Sequence, residues 1–267
     1  MQYRGVYVYC THKAIFFSLK IVFFYIISHS FVGKLLMVIG RGTMAQAFSD
    51  FTGNNNFLIF ASGVSNSKET NQEAFLREMT LLQESLKLYP HLHIVYFSTC
   101  SIYDTEEQHS AYVQHKLATE QFIQQTNQNY TIFRVSNVVS STLQHSTIFS
   151  YLAYHIKHNL SFKLWKNAYR NILGVEDIRK IITYLLSQPK LSHNEIINIA
   201  NIRSYAVLDI VKVMETYFQC KAQYELIDRG KYFEIDTSLI QNIAPKLGIN
   251  FDKNYLLHLL QTHYPIH

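Results

Sequence analysis

A short apolar run that ends in a glycine-rich turn constrains the fold of this chain more than any other feature. The run Leu35–Ile39 leads into Gly40-Arg-Gly42-Thr-Met-Ala45. In the pattern G-x-G-x-x-A, the first glycine permits a tight strand-to-helix turn and the second lets phosphates approach the backbone, while the alanine lets the helix pack closely on the strand. The sequence therefore predicts a strand–turn–helix unit that binds a dinucleotide pyrophosphate through Gly40, Gly42, Thr43, Met44 and Ala45.

Strand-like and helical patterns alternate along the rest of the chain. Apolar residues recur at helical spacing in Gln72–Leu88 and Tyr112–Thr126, and apolar strand-like runs such as Phe57–Ala61 and His93–Phe97 lie beside them. This alternation is typical of a parallel sheet with helices on both faces. Because 48% of its 267 residues are hydrophobic and only 16% are charged, the chain can bury a sizeable core. We therefore expect an α/β fold with a Rossmann-like parallel sheet.

Tyr112 and Lys116 stand four positions apart in a predicted helix, so both side chains fall on one face. A phenol is a poor base at neutral pH because its ordinary pKa is near ~10. A fixed positive charge close to it favours the phenolate. Upstream, Thr99 supplies a hydroxyl that can hold a substrate oxygen while the phenolate removes its proton. These are the groups needed to oxidise an alcohol by hydride transfer.

Together with the glycine turn, these residues resemble the extended short-chain dehydrogenase/reductases, the NAD-dependent epimerase/dehydratase family. The resemblance runs from about Leu36 almost to the C-terminus. The segments that carry it, in the family's order, are Phe57–Gly63, His93–Thr99, Tyr130–Asn137, Tyr169–Ile178 and Ile196–Ala200.

The resemblance implies an enzyme that exchanges hydride between NAD or NADP and a hydroxyl or ketone of a sugar, in particular a nucleotide sugar. Tyr112 would be its base and acid, Lys116 would tune the tyrosine and bind the nicotinamide ribose, and Thr99 would orient the substrate. An epimerase and a ketoreductase share these groups, so both stay open, and a homodimer stays open as the assembly. The implied further contacts are Ala61, Ser62, Gly63 and Ser98 for the cofactor, and Asn137 and Arg170 for the substrate.

Two departures from the family pattern bear on function. Only a short helix and the turn Asp50–Asn56 separate Ala45 from Phe57, whereas the family inserts at least one further strand whose end reads the adenosine ribose. The sheet is therefore predicted to be trimmed on its adenine side. This leaves NAD and NADP undistinguished, and it keeps open a non-catalytic binding or regulatory module with weakened cofactor binding. Cys100-Ser101 replaces the Asp-Glu pair of the family's 4,6-dehydratases, which argues against sugar dehydration.

Cysteine spacing and charge exclude other classes of function. Cys10, Cys100 and Cys220 are widely spaced, and the histidines are scattered without ligand spacing, so we expect neither disulfides nor a metal site. The net charge of +5 lies mostly in the first 36 residues, which contain four basic residues and no acid. Because the remainder is nearly neutral, we expect no nucleic-acid partner.

The chain begins with a basic, apolar extension. Its segment Ala14–Val32 is long enough to span a bilayer, although Lys20 inside it would be costly there. Three interpretations stay open. The extension is a membrane anchor, or it is a packed or partner-binding arm, in which Val6–Tyr9 or Ile21–Ile27 could cover the trimmed sheet edge, or it is an artefact of start assignment with Met37 as the natural start.

The expected domains are the extension (1–35), a dinucleotide-binding domain (36–140) and a substrate-binding region (141–267), of which residues 171–201 return to the sheet. A cytoplasmic protein is expected, with membrane contact only if residues 14–32 are genuine.

The expected place of the glycine-motif strand predicts that the extension lies outside the α/β body. That strand is expected to be central, with the Phe57–Ala61 and His93–Phe97 strands as partners, so it needs none from residues 1–36. A chain that starts at Met37 is therefore expected to fold and stay soluble, as measured by circular dichroism and size-exclusion chromatography beside the full chain. Unfolded or insoluble protein would show that the extension is structural.

Overall fold

In the residues described by the structure, a computed structural model, five parallel strands form the main sheet. The structure describes residues 37–126, 129–141, 147–188 and 194–266, and the extension predicted at residues 1–35 lies outside them. In chain order the strands and helices are β1 (Val38–Ile39), α1 (Thr43–Ala47), β2 (Phe57–Phe60), α2 (Gln72–Leu88), β3 (His93–Thr99), α3 (Ala111–Gln125), β4 (Tyr130–Val135), β5 (Asn137–Val139), α4 (Ile148–Lys157), β6 (Phe162–Trp165), β7 (Tyr169–Gly174), α5 (Val175–Ser187), β8 (Glu195–Ile199), β9 (Ser204–Ala206), α6 (Val207–Phe218), β10 (Tyr224–Ile227), α7 (Ser238–Ile243) and α8 (Tyr255–His263).

The main sheet has the strand order β1-β2-β3-β4-β8, and every pairing in it is parallel. Leu58 of β2 lies opposite Ile94 of β3, which lies opposite Tyr130 of β4. Parallel neighbours need crossover connections, which α2 supplies between β2 and β3, and α3 between β3 and β4. The predicted α/β fold with a Rossmann-like parallel sheet is confirmed.

Both faces of the sheet are covered, because successive residues of a strand point to opposite sides. On one face Leu58, Phe60 and Tyr96 pack with Leu82 of α2 and Ile123 of α3. The other face packs against α5 in a core that includes Ile59, Val95, Phe97, Phe133, Ile178 and Ile182. The strands are therefore apolar at consecutive positions, as buried parallel strands must be.

The two helices beside the site begin at side-chain caps that the sequence contains. The Asn71 side chain accepts a hydrogen bond from Glu73 N at the start of α2, and Ser110 Oγ accepts one from Val113 N at the start of α3. Such caps satisfy backbone N–H groups that have no partner inside the helix. The helix predicted at Gln72–Leu88 has these bounds, and the one predicted at Tyr112–Thr126 begins and ends one residue earlier.

The glycine-motif strand lies at an edge of the main sheet, which corrects its expected central position between two strands. β1 pairs with β2 alone, while β2 pairs directly with β3. The physical reason is that the connection from Ala47 to Phe57 holds only a short 3-10 turn, Ser49–Phe51, and no strand. The outer edge of β1 therefore has no strand partner among the described residues. Truncation at Met37 thus tests whether residues 1–36 supply one.

Two smaller sheets lie beside the main one. β7 pairs parallel with β5 and antiparallel with β9, and β10 pairs parallel with β6. Among the described residues of the range 171–201, β8 is the strand that pairs in the main sheet, and it begins at Glu195. No helix in the described parts of the chain is long and apolar enough to cross a membrane.

Two buried asparagines join β7 to the segment that follows β8. Asn171 Oδ1 accepts from Asn201 N at 2.8 Å, and Asn171 Nδ2 donates to Asn201 O at 2.7 Å. Asn201 Nδ2 donates in turn to Ile172 O at 3.1 Å. Both side chains are buried, so each replaces water with specific protein partners.

We expect Asn201→Ala to lower the free energy of unfolding by about 1–3 kcal/mol, because it leaves buried backbone groups without a partner. Chemical denaturation followed by circular dichroism measures the change. Asn250→Ala is the matched control, since Asn250 is exposed and its side chain donates to the half-buried Asp252. Equal effects of the two substitutions would contradict this role of Asn201.

Candidate active site

A cavity of about 1020 Å³ opens above the carboxyl ends of the main-sheet strands. In open parallel sheets, this edge is where ligands bind. Gly42, Ser62, Thr99 and Ser136 line it from the ends of β1, β2, β3 and β4. Residues from beyond residue 147, including Trp165 and Arg170, complete the wall. The cavity thus joins the parts of the chain that the sequence analysis treated as the cofactor and substrate regions.

The glycine turn enters this cavity with two glycines that have different roles. Gly40 has a φ of +137°, and a Cβ there would lie 2.5 Å from Ala61 O, so only glycine allows β1 to turn so close to β2. Gly42 has an ordinary φ of −78°, and a Cβ there would meet no atom within 4 Å. The first glycine is therefore needed by the fold, whereas the second keeps space open at the cavity.

Thr99 lies buried at the end of β3, where the chain turns into the 3-10 helix Cys100–Tyr103. Its Oγ1 accepts a hydrogen bond from Ser101 N at 3.0 Å and donates one to Ser101 Oγ at 3.1 Å. These bonds fix the threonine hydroxyl at the cavity wall. It can still accept a bond from a ligand, because a hydroxyl oxygen has two acceptor positions.

Ser98 is held by a network behind the site. Ser98 Oγ donates to Glu120 Oε1 on α3. Arg134 donates to the same carboxylate twice, from Nε to Oε1 at 3.0 Å and from Nη2 to Oε2 at 2.6 Å. Arg134 also donates to Tyr103 OH at 3.1 Å. This bidentate pair ties α3 to β3 and β4, so it fixes the helix that carries Tyr112 and Lys116.

Tyr112 and Lys116 both line the cavity and are both nearly buried. The three donors of the Lys116 ammonium point to Tyr96 OH at 3.0 Å, Glu78 Oε1 at 3.2 Å and Phe97 O at 3.4 Å. Burial alone would lower the pKa of Lys116, but Tyr96 and Glu78 beside it raise that pKa above its usual range. These two neighbours therefore favour the charged form of Lys116.

Glu78 is a site residue that the sequence analysis missed. Its carboxylate accepts bonds from Tyr96 OH, Lys116 and Val64 N. Burial would raise the pKa of Glu78, but the Lys116 charge and the contacts with His115 and Val64 lower it to about 2. One signal for it was present: Glu78 stands at helical spacing between the buried Phe75 and Leu82, where a lone acid on an apolar face needs a partner.

The substrate side of the cavity contains Asn137 and Arg170. Arg170 Nη1 donates to Tyr169 O at 2.7 Å and lies 3.7 Å from Asp104 Oδ2. Asn137 Nδ2 donates to Asn171 O at 3.0 Å. Cys100 also reaches the cavity, but burial raises the pKa of its thiol to about 12, so it is a poor acid or base at neutral pH.

The structure brings most of the sequence-predicted residues to this one cavity. Gly40 and Ala45 are the exceptions, since Gly40 shapes the turn and Ala45 is buried on the inner side of α1. The predicted residues that line the cavity are Gly42, Thr43, Met44, Ala61, Ser62, Gly63, Ser98, Thr99, Tyr112, Lys116, Asn137 and Arg170. Their roles toward a cofactor or substrate stay predictions.

The sequence model of the NAD dependent epimerase/dehydratase family matches residues 44–200, more than half of the chain. The chain belongs to this family. The resemblance inferred from its motifs is thereby confirmed. A comparison with curated proteins gives no match.

Solved structures of family enzymes share the fold at low sequence identity. UDP-glucose 4-epimerase from Thermus thermophilus, complexed with NAD, has a TM-score of 0.63 and 14% identity over 84% of this chain and 81% of that one. RMD from Pseudomonas aeruginosa, complexed with NADPH, has a TM-score of 0.61 and 14% identity over 85% of this chain and 88% of that one.

This chain matches less than two thirds of the length of a third similar structure. dTDP-glucose 4,6-dehydratase from Bacillus anthracis str. Ames, in complex with NAD, has a TM-score of 0.57 and 17% identity. The match covers 70% of this chain and 65% of that one. These similarities show the shared fold.

The cavity fits one part of a nicotinamide dinucleotide better than the other. The open space over Gly42 suits a pyrophosphate, and the hydroxyls and amides near Thr99 and Asn137 suit the nicotinamide half. On the adenine side the residues that the structure describes include no strand beyond β1 whose end could read the ribose. The helix that follows the turn, α1, has five residues.

Gly42→Val tests the glycine turn. Because a Cβ at Gly42 meets no protein atom within 4 Å, we expect the thermal stability to change little. A branched side chain would block the phosphates, so dinucleotide affinity should fall by at least about tenfold, the loss expected when a charge-assisted bond worth ~1.5 kcal/mol is broken. Isothermal titration calorimetry measures the affinity, with Gly42→Ala as a smaller step. Unchanged affinity in Gly42→Val would place the pyrophosphate elsewhere.

Proposed function

We propose that this chain is an NAD(P)-dependent enzyme that acts on a nucleotide sugar, as an epimerase or a ketoreductase. The observation that carries the proposal is that Thr99, Tyr112 and Lys116 line the same cavity as the glycine turn. A hydroxyl, a phenol and a permanently charged ammonium thus face the space into which a dinucleotide would extend. This combination suits oxidation of an alcohol better than binding alone, since a binding module has no need for a phenol beside a cation.

Proton transfer is the step that the chain's own residues would perform. A nicotinamide cofactor, when bound, supplies the hydride acceptor and donor. The Thr99 hydroxyl would turn from Ser101 Oγ to donate to the substrate oxygen, and the Tyr112 phenolate would remove the proton of that oxygen. Lys116 places a positive charge close to this phenol. In the reverse direction Tyr112 would return the proton to the reduced carbonyl oxygen.

Lys116 would also hold the nicotinamide ribose. Its 3.4 Å contact with Phe97 O is the longest of its three and is therefore the weakest. A ribose hydroxyl could take over this donor while the bonds to Glu78 and Tyr96 remain. The ammonium would then link the cofactor to the helix without losing its counter-ion.

A nucleotide sugar is the proposed substrate because the wall beyond residue 147 contains both cationic and aromatic groups. Arg170 is held loosely by Asp104 at 3.7 Å, so a diphosphate could take over its guanidinium as a bidentate partner. Trp165 offers a flat apolar face for a base or sugar ring. Two of the similar structures are enzymes named for UDP-glucose and dTDP-glucose, which supports this substrate class.

Dehydration of the sugar is the less favoured reaction. Cys100 and Ser101 stand directly after Thr99, where a dehydratase needs an acid and a base. Ser101 Oγ accepts the Thr99 hydroxyl, and the Cys100 thiol donates to Arg134 O at 3.1 Å. Both groups are therefore engaged within the protein, which supports epimerisation or simple reduction.

A non-catalytic binding or regulatory module is the second candidate function. It is favoured by the edge position of β1 and the short α1, which offer the adenosine half little support in the described part of the chain. A binding or regulatory module would bind the cofactor weakly and would show no turnover that depends on Tyr112. The substitution Tyr112→Phe therefore distinguishes the two candidate functions.

We expect Tyr112→Phe to reduce turnover by at least about a hundredfold, since positioned acid–base groups contribute about 10²–10⁴. Dinucleotide affinity and the melting temperature should stay near wild type because only the hydroxyl is lost. Lys116→Ala should reduce both turnover and affinity. Activity is assayed by nicotinamide absorbance with a panel of nucleotide sugars, and Tyr184→Phe, outside the cavity, is the control. Tyr112→Phe activity within a few-fold of wild type would contradict the mechanism.

A further inference from the structure

A buried anion lies directly behind the Lys116 ammonium. Glu78 Oε1 accepts a bond from Tyr96 OH at 2.9 Å and lies 3.2 Å from Lys116 Nζ. Glu78 Oε2 accepts from Val64 N at 2.7 Å and lies 2.9 Å from His115 Nε2. Both oxygens are thus occupied, and the Glu78 and Lys116 side chains are 2% and 4% exposed. Such a pair persists only if each partner stays charged.

The loop after β2 closes over this pair. Val64 N is bonded to Glu78, and a Cβ on the neighbouring Gly63 would lie 2.7 Å from Lys116 Nζ. Gly63 was predicted from the sequence as a cofactor contact, and it does line the cavity. Its packing over the ammonium is an additional reason for glycine at this position, since any side chain would push against the charged nitrogen.

The acceptors around Lys116 differ in charge. Tyr96 OH and Phe97 O are neutral acceptors, whereas Glu78 is the only acidic side chain recorded within salt-bridge distance of Lys116 in the described residues. Tyr96 stays a neutral phenol, because burial raises its pKa well above the usual range in spite of the Lys116 charge. Tyr112 and His115 face the cluster from α3, the helix that carries Lys116 itself. Of the three acceptors bonded to Lys116, Glu78 is therefore the one that carries a full negative charge.

We propose that Glu78 is a positioning residue of the active site, which keeps Lys116 charged and anchored beneath the Gly63–Val64 loop so that the lysine can serve the cofactor and Tyr112. The part of this proposal in which Lys116 serves the cofactor and Tyr112 rests on the proposed function. The part in which Glu78 keeps Lys116 charged and anchored concerns the protein alone. Glu78 does not contact the reacting atoms. It acts through Lys116, and through Val64 it links the same charge to the loop at the cofactor cavity.

The sign of the effect follows from burial. A buried lysine without a counter-ion loses its proton more easily, because the charged form is poorly solvated. Glu78→Gln keeps the shape but removes the charge, so the Lys116 pKa should fall below the ordinary lysine value of ~10.4. In wild type Lys116 stays charged across the working range. In the variant its charge would be lost as the pH rises through the lowered pKa.

A titration of the Lys116 side chain, followed by NMR, tests whether Glu78 keeps Lys116 charged. The full chain is labelled with isotopically enriched lysine, and the Lys116 resonance is identified by its loss in Lys116→Arg. We expect no Lys116 titration below the ordinary lysine range in wild type and a clear one in Glu78→Gln. Glu84→Gln, an exposed site on the same helix, should behave like wild type. An unchanged Lys116 titration in Glu78→Gln would overturn the proposal.

Dinucleotide affinity, measured as a function of pH on the same samples, tests whether Glu78 acts on the cofactor through Lys116. In Glu78→Gln, affinity should fall by about tenfold or more as Lys116 deprotonates, the loss expected for a charge-assisted bond. In wild type it should not follow a lysine titration. If Lys116 titrates early but affinity stays flat, the link from Glu78 to the cofactor is wrong. If the wild-type protein binds neither NAD nor NADP, the proposed function and the link from Glu78 to the cofactor fail together. The NMR titration then still decides whether Glu78 keeps Lys116 charged.

Glu78→Asp keeps the test decisive if Glu78→Gln does not fold, as circular dichroism would show. It retains the charge but withdraws the carboxylate by one methylene group. We expect a smaller downward change of the Lys116 titration midpoint, with the same sign. A purely structural role of Glu78 would lower the melting temperature of Glu78→Asp and leave that midpoint where it is in wild type.

Discussion

The buried ion pair between Glu78 and Lys116 is the interaction on which the site depends. It joins α2, α3, β3 and the loop after β2 at the floor of the cavity. Two charges taken out of water cost free energy unless each finds the other, and removing one partner of such a pair typically costs ~3–5 kcal/mol. The pair therefore restricts how α2 and α3 can pack, which fixes where Tyr112 lies relative to Thr99.

The β1 edge of the main sheet has less support, because β1 has one neighbouring strand among the described residues. The short connection between α1 and β2 leaves the glycine turn at the end of an edge strand. The close approach of Gly40 to Ala61 still fixes the turn, so the place for phosphates does not need a further strand. Recognition of the adenosine ribose does need one in the family pattern. Under the proposed function, the described residues would therefore support the nicotinamide and pyrophosphate parts of a cofactor more fully than its adenosine part.

The parts of this fold that depend on local sequence could be predicted. The glycine turn, the periodicity of α2, and the i,i+4 pair Tyr112 and Lys116 each involve residues near one another in the chain. Strand order could not be predicted in the same way. The missing strand on the adenine side was predicted from the short connection between Ala45 and Phe57, but the expectation that β1 lies between two strands depended on distant pairings and was wrong.

The same limit explains the residue that was missed at the site. Glu78 is 38 positions from Lys116, and no short motif links the two. Its sequence signal was only an acid at a buried position of α2, which indicates that some partner exists but not which one. Tyr96, 18 positions from Glu78, looked like an ordinary apolar strand residue for the same reason.

Trp165, the single tryptophan of the chain, lines the cavity and offers the most direct measurement. Its emission overlaps the absorption of reduced nicotinamide, so a cofactor bound there should accept its excitation energy. Titration of the full chain with NADH or NADPH is predicted to give saturable, tryptophan-sensitised nicotinamide emission that excess oxidised cofactor removes. No sensitised emission with either reduced cofactor, in protein shown to be folded, would contradict a nicotinamide site in this cavity.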